Sequence, residues 1–351
     1  MSRKLITIST IMTLMSTSVI ADVPNVAADI APIHSLVSRV MDGVGAPKLI
    51  VQSGASPHGY RLRPSEAKAL QDADHVFWVG EELTPWLDSA IDTLASKASV
   101  TTLLDQEGVI LHDFREGALF EAHDHSAHGD DDDDDHDDHD DHDDHDDHKD
   151  HDDDDDHDDH KDHKDHDDHD DHDDHDDHDD HGSHDPHAWL SPENAKLWLN
   201  IIASKLSVSD PENAASYFMN AAAGQAEIEV MIAEVKATLK PVQGGKFVVF
   251  HDAYQYFEND FDFYASGAIS LGDSSDPSPA RIEKVQKRIR DEGIQCVLAE
   301  PQFNKGLVAT VMEGSDATAS VIDPLGTELE TGPKLYTQLI ENMAKTLRNC
   351  L

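Results

Sequence analysis

Short apolar runs alternate with helix-like segments along most of the chain. Lys48 to Val51 is a brief apolar run that ends in the turn-rich Gln52-Ser53-Gly54-Ala55-Ser56-Pro57, and His58 follows at once. Ser65 caps a helical pattern through Leu70, with Glu66 in its first turn. His75 to Val79 reads as a buried strand, Thr84 as the cap of a helix carrying Trp86, Leu87, Ile91 and Leu94, and Val109 to Leu111 as a further short strand. Later, Ser191 is an N-cap with Pro192 at the first position of a helix bearing Leu197, Trp198, Ile201, Ile202 and Leu206. Asp210-Pro211 repeats that start signal. From there to Lys240 the chain has one glycine, Gly224, and no further proline, which predicts a helix of up to 30 residues, about 45 Å at 1.5 Å per residue.

The alternation then restarts. Lys246 to Phe250 is a buried strand ending at His251, Ala268 to Leu271 another, and Ser278-Pro279 opens a helix through Arg290. Cys296 to Ala299 is a third strand, ending at Glu300; Val321 and Ile322 lead into Asp323, and Pro333 begins a last helix through Leu347. Strands alternating with helices predict an α/β protein with parallel sheets covered on both faces. The expected organisation is an N-terminal α/β lobe (22–122, completed by 185–209), a linker helix (210–241) and a C-terminal α/β lobe (242–351). Ligands of such sheets bind beyond the carboxyl ends of strands, where His58, His251, Glu300 and Asp323 all fall.

One stretch breaks the pattern. From His123 to His181 the chain is almost entirely Asp and His, with Asp-Asp-His as its repeated unit. With Ala127 as its one apolar side chain it has nothing to offset the entropy of ordering a backbone, so residues 123–184 are expected to be a disordered loop. Its 35 Asp and 3 Lys account for −32 of the chain's −47, leaving an ordinary acidic remainder. Imidazole with carboxylate is a ligand mix suited to zinc and its neighbours. The tract therefore reads as a secondary metal-binding loop with ligands His123, His125, His128, His136, His139, His142, His145, His148, His151, His157, His160, His163, His166, His169, His172, His175, His178 and His181. The plainer reading is an acidic spacer. The negative charge excludes contacts to nucleic-acid phosphates.

Arg3 and Lys4 precede an apolar, Ser/Thr-dotted run from Leu5 to Ile20, with Val19 and Ala21 at the small-residue places of a cleavage site. This predicts a secretory signal peptide over 1–21, a run too short to span a bilayer, and a soluble, exported mature chain. The two cysteines, Cys296 and Cys350, either form one bridge closing a 54-residue loop or remain two buried thiols.

Seven histidines lie outside the tract. His75, in an apolar strand, reads as a satisfied core or edge residue; His34 starts a helix, His112 follows a strand and His184 looks like the tract's end. His58, His187 and His251 differ, because each sits in a turn flanked by proline, glycine or aspartate at the junction of two elements. Three imidazoles and one further ligand suit zinc, although separations of 129 and 64 residues do not by themselves show convergence.

Four segments in fixed order carry a resemblance: Gly54-Ala55-Ser56-Pro57-His58-Gly59-Tyr60 with Arg63-Pro64-Ser65; Asp185-Pro186-His187-Ala188-Trp189-Leu190-Ser191-Pro192; Phe250-His251-Asp252-Ala253-Tyr254 with Tyr256-Phe257; and Ala299-Glu300-Pro301-Gln302-Phe303. Together they resemble the zinc-binding periplasmic proteins of the cluster A-I, or cluster 9, ABC-transporter family. The resemblance implies two Rossmann-like lobes joined by a rigid backbone helix, with Zn²⁺ held in the cleft by His58, His187 and His251. It also implies a disulfide between Cys296 and Cys350, a location in the periplasm, and monomeric delivery to the membrane permease of a zinc ABC transporter, with a periplasmic zinc metallochaperone as a further partner. Where certain zinc members have Glu before the first histidine this chain has Pro57, which opens the fourth position to water or to Asp323, the place that supplies a carboxylate in manganese-binding relatives. Retention of His251 favours zinc over manganese, which prefers oxygen.

The expected function is thus extracytoplasmic zinc capture, without enzymatic activity. A zinc-dependent hydrolase is the competing class, with Glu300 or Asp323 nominated as base; no His-Glu-x-x-His helix and no nucleophile elbow support it.

Overall fold

The computed structural model describes residues 23–115, 120, 184–270, 277–302 and 305–351. The expected signal peptide and the Asp/His tract with its 18 histidines lie outside these residues. In the first half, β1 (Val26–Ala28), β2 (Lys48–Leu49), β3 (His75–Trp78) and β4 (Ser99–Thr102) form a parallel sheet in the order β2-β1-β3-β4. Helices α1 (Ala31–Val40), α2 (Pro64–Gln71) and α3 (Pro85–Leu94) connect them. Two long helices follow, α4 (Pro192–Ser209) and α5 (Ala214–Leu239). The second half repeats the design with β5 (Phe247–His251), β6 (Ala268–Ser270), β7 (Cys296–Ala299) and β8 (Thr318–Val321) in the order β6-β5-β7-β8. Helices α6 (Gln255–Phe261), α7 (Pro279–Glu292), α8 (Lys305–Met312) and α9 (Leu335–Cys350) complete it. Both sheets have the same order, and the expected fold class is the one observed.

The strands show why. Every residue of β5 is buried, and successive side chains point to opposite faces: Phe247 and Val249 join one core, Val248 and Phe250 another. The outer face of the first sheet packs Val76 and Trp78 against Leu70, Leu87 and Ile91 of α2 and α3. The outer face of the second packs Ile269 and Val297 against Val285, Ile289 and Val308. The inner faces of both sheets share a single core with α1, α4, α5 and α9.

Helix α5 is central to that shared core. Tyr217, Ala221, Gly224, Ile228, Met231, Val235 and Leu239 make one buried stripe spaced by three or four residues. It packs against α4, α1 and α9. At Gly224 a Cβ would lie 3.0 Å from both Arg39 Cγ and Leu199 Cδ1, so any larger residue there makes those side chains shift. The helix begins three residues later than the Asp210-Pro211 signal predicts. Asp210 instead folds the connection into a turn, its Oδ2 accepting from Asn213 Nδ2 (2.7 Å) and Tyr217 OH (2.8 Å).

Other departures have local causes. Val109 to Leu111 is not a strand: Ile110 exchanges both backbone hydrogen bonds with the Asn194 side chain, 2.8 Å to its Oδ1 and 3.0 Å from its Nδ2. The fourth strand is β4, a mostly polar sheet edge, and it escapes an apolar-run search, as does the three-residue β1. Helix α2 starts two residues early, with Arg63 as N-cap in place of Ser65 and its N–H donating to Glu66 Oε2 at 2.7 Å. Thr84, Ser191 and Ser278 stand at the N-cap positions expected. No helix among the described residues is long and apolar enough to cross a membrane.

Cys296, the first residue of β7, is bonded to Cys350 at the end of α9 across a Cα–Cα distance of 5.6 Å. Chain entropy values a closure of 54 residues at about 4 kcal/mol, so a Cys296→Ser, Cys350→Ser protein is expected to lose about that much unfolding free energy in urea titrations.

Asp29, just after β1, is fully buried and accepts from Ile30 N and Val79 N, each at 2.7 Å. Burial pushes its carboxyl up to about 7, outweighing the N–H donors that pull it down. Between the ordinary carboxylate value and 7 the native state holds a proton that the unfolded chain has released, so this contribution is full at low pH and lost as pH rises through 7. Asp29→Asn is expected to gain on the parent by about 2–3 kcal/mol between pH 5 and pH 8 in paired urea titrations.

Candidate metal centre

In both sheets the strand order reverses between the two central strands, which leaves a crevice at their carboxyl ends. In the first sheet Asp29 closes it by reaching from the end of β1 to Val79, beyond β3. In the second sheet it is occupied by His251, the last residue of β5, and Glu300, the first residue after β7. His251 Nδ1 lies 2.5 Å from Glu300 Oε1, and Glu300 Oε2 accepts from Gln302 Nε2 at 2.8 Å.

His187 comes to the same place from the turn before α4. Asp185 Oδ1 accepts its backbone N–H at 3.0 Å and pairs with its Nδ1 at 2.6 Å. Three anchors hold this turn: Tyr256 OH donates to Asp185 O (2.7 Å), Trp189 Nε1 to Pro324 O (2.8 Å) and Tyr336 OH to Trp189 O (2.9 Å). His58, in the connection from β2 to α2, is less buried than the other two. Its backbone N–H donates to Ser56 Oγ at 3.3 Å, and Trp86 Nε1 of α3 fixes the loop by donating to Pro57 O at 2.6 Å.

One nitrogen from each of His58, His187 and His251 lies within 4.8 Å of the others. His187 and His251 approach through Nε2 at 3.4 Å. Assigning the Nδ1 protons to the carboxylate contacts leaves both Nε2 atoms as acceptors, and two lone pairs facing across that distance repel unless a cation lies between them. Two imidazoles on one tetrahedral ion, each at about 2.0–2.1 Å, have nitrogens about 3.3–3.4 Å apart. Carboxylate partners on the far ring nitrogen are the usual support of metal-binding histidines. The four surrounding buried acids, Asp185, Asp252, Glu258 and Glu300, outnumber Arg115, the guanidinium paired with Asp252 and Glu258, and leave the site a negative field suited to a cation.

The profile of the family described as "Zinc-uptake complex component A periplasmic" matches residues 26–350. The chain belongs to this family. Members similar to it include proteins named "High-affinity zinc uptake system protein ZnuA" in Brucella abortus (strain 2308), 48% identical over 93% of this chain and 91% of that one, and in Paracoccus denitrificans (strain Pd 1222), 44% identical over 94% and 93%. The fold matches "Crystal structure of ZnuA" with a TM-score of 0.67 at 17% identity, over 94% of this chain and 99% of that one. It also matches a 138–173 ZnuA deletion mutant with zinc bound, with a TM-score of 0.66 at 17% identity, over 94% and 98%.

Asp323 is not among the atoms that converge. Its Oδ1 accepts from Leu325 N (3.0 Å) and Gly326 N (2.9 Å), and its Oδ2 from Thr327 N (2.6 Å) and Thr327 Oγ1 (2.7 Å), so its four acceptor positions serve the turn after β8. The other described histidines have structural partners: His34 pairs with Pro47 O, His75 with Ser209 Oγ, His112 with Asn259 and His184 with Asp113. The residues that orient the cluster, Asp185, Trp86 and Glu300 in this role, are not singled out by sequence reasoning. The Asp-Pro-His spacing was the available signal for Asp185.

Long-range ¹H–¹⁵N NMR of the metal-free protein is expected to show His187 and His251 as Nδ1–H tautomers, and Glu300→Ala to remove that preference at His251 alone. An Nε2–H tautomer at both rings would contradict the lone-pair argument.

Proposed function

We propose that this chain captures Zn²⁺ in the periplasm and passes it to the membrane permease of a zinc ABC transporter, with His58, His187 and His251 as its protein ligands. The reading rests on one observation: three imidazoles, two from connections and one from the end of β5, converge, two of them at the nitrogen separation of a shared tetrahedral ion. Membership of the zinc-uptake family and the names of its relatives support the cargo and the transport role.

Three neutral nitrogens favour zinc over manganese. A water suits the fourth position better than Asp323, which would have to surrender hydrogen bonds within its own turn. The same bookkeeping weakens the hydrolase reading, since Glu300 is engaged with His251 and Asp323 with its turn. Export follows from cleavage after Ala21, and the Asp/His tract gathers zinc near the site, because its far end lies six residues before His187.

Release follows from the same anchoring. The core shared by both halves opposes wide separation, so docking to the permease frees the ion chiefly by moving the His58 loop, whose ligand is the least buried of the three.

Chelator competition should find one tight zinc site in the parent. Loss of an outer carboxylate costs about 10–100-fold, and His251→Ala or His58→Ala is expected to cost more. Deletion of residues 124–180 is expected to keep the tight site. Undiminished binding in a His58→Ala, His251→Ala protein sinks the ligand assignment.

A further inference from the structure

Arg115 stands eight residues before His123, where the Asp/His tract begins. Its side chain is mostly buried and ends between two carboxylates of the second half. Nε is 3.0 Å from each oxygen of Asp252, Nη2 also bonds Asp252 Oδ1, and Nη1 is 2.6 Å from Glu258 Oε2. The Phe120 ring covers the guanidinium at 3.6 Å. Asp252 directly follows His251, and Glu258 lies one turn into α6. Asp252 is also close enough to Asp185 to feel its charge.

The other end of the tract is equally engaged. Asp113 and His184 form an antiparallel bridge, and Asp185 N donates to His112 O at 2.7 Å. Asp185 is the residue that pairs with His187 Nδ1. Both roots of the inserted segment therefore end on groups that adjoin or orient a buried histidine of the centre.

We propose that Arg115 is a positioning residue for the zinc centre: by clamping Asp252 and Glu258 it sets the β5–α6 turn that carries His251, and it joins the root of the Asp/His tract to that ligand. The proposal rests on the zinc-capture reading above. Neutralising two buried acids needs only a positive charge. The planar fork does more, because it fixes the angle at which both carboxylates are held, and a lysine ammonium does not reproduce that.

The test uses the full chain, zinc alone as ligand, chelator competition for affinity and thermal melting of the metal-free form. Arg115→Gln is expected to weaken the tight site about 10–100-fold, the cost of losing an outer-sphere partner, and Arg115→Lys, which keeps the charge, about tenfold. Arg39→Gln removes a bidentate pair with Glu227 on the α1–α5 surface, at 2.9 and 3.0 Å, and is expected to leave affinity unchanged. Should Arg115→Gln fail to fold, Arg115→Lys decides the matter. Parent-like affinity in Arg115→Lys overturns the proposal, as does parent-like affinity in a folded Arg115→Gln. His251→Ala is measured alongside: if it binds zinc as the parent does, the ligand assignment itself fails, whereas its loss beside a parent-like Arg115→Lys defeats only the role of Arg115.

Discussion

Two imidazoles that each give their Nδ1–H to a buried carboxylate must meet through acceptor nitrogens. That constraint underlies the centre. Glu300 and Asp185 determine which nitrogens face inward, and the fold then brings those nitrogens to 3.4 Å. With the Nδ1 protons assigned in this way, the two facing lone pairs repel unless a cation lies between them. An arrangement of this kind needs little reorganisation to accept a cation.

The scaffold maintains this arrangement through a core that does not divide. Residues from the inner faces of both sheets pack together with α5, and Ser35 of α1 accepts from Tyr336 N while donating to Gly332 O, both in the last part of the chain. The His187 turn is tied in the same manner, reaching α6, α9 and the turn after β8. His58 is held from the first half, through Trp86 and Ser56. The two buried histidines therefore share a frame, and the third belongs to a separate loop.

Much of this was legible in the sequence. Buried parallel strands announce themselves as short apolar runs, and capping residues placed most helices to within a residue or two. What escaped was β4, whose edge position lets it be polar, and the false strand at 109–111, whose backbone is satisfied by Asn194 instead of a neighbouring strand. The candidate ligands stood out as turn histidines at element junctions, yet separations of 129 and 64 residues carry no information about distance. Their orienting partners were harder still. Asp185 stands two residues before His187 and Glu300 at the end of a strand, but their orienting role depends on burial beside a ring nitrogen, which no local pattern encodes.

Asp113 and His184 form an antiparallel bridge, so the segment that contains the Asp/His tract is spanned by two residues that lie side by side. Loop-closure entropy grows only as the logarithm of length, about 0.6 kcal/mol for each doubling. Copies of Asp-Asp-His can accordingly be gained or lost at this doorway with almost no thermodynamic penalty to the domain. Repeat number can therefore vary between related chains while the rest of the domain stays as it is.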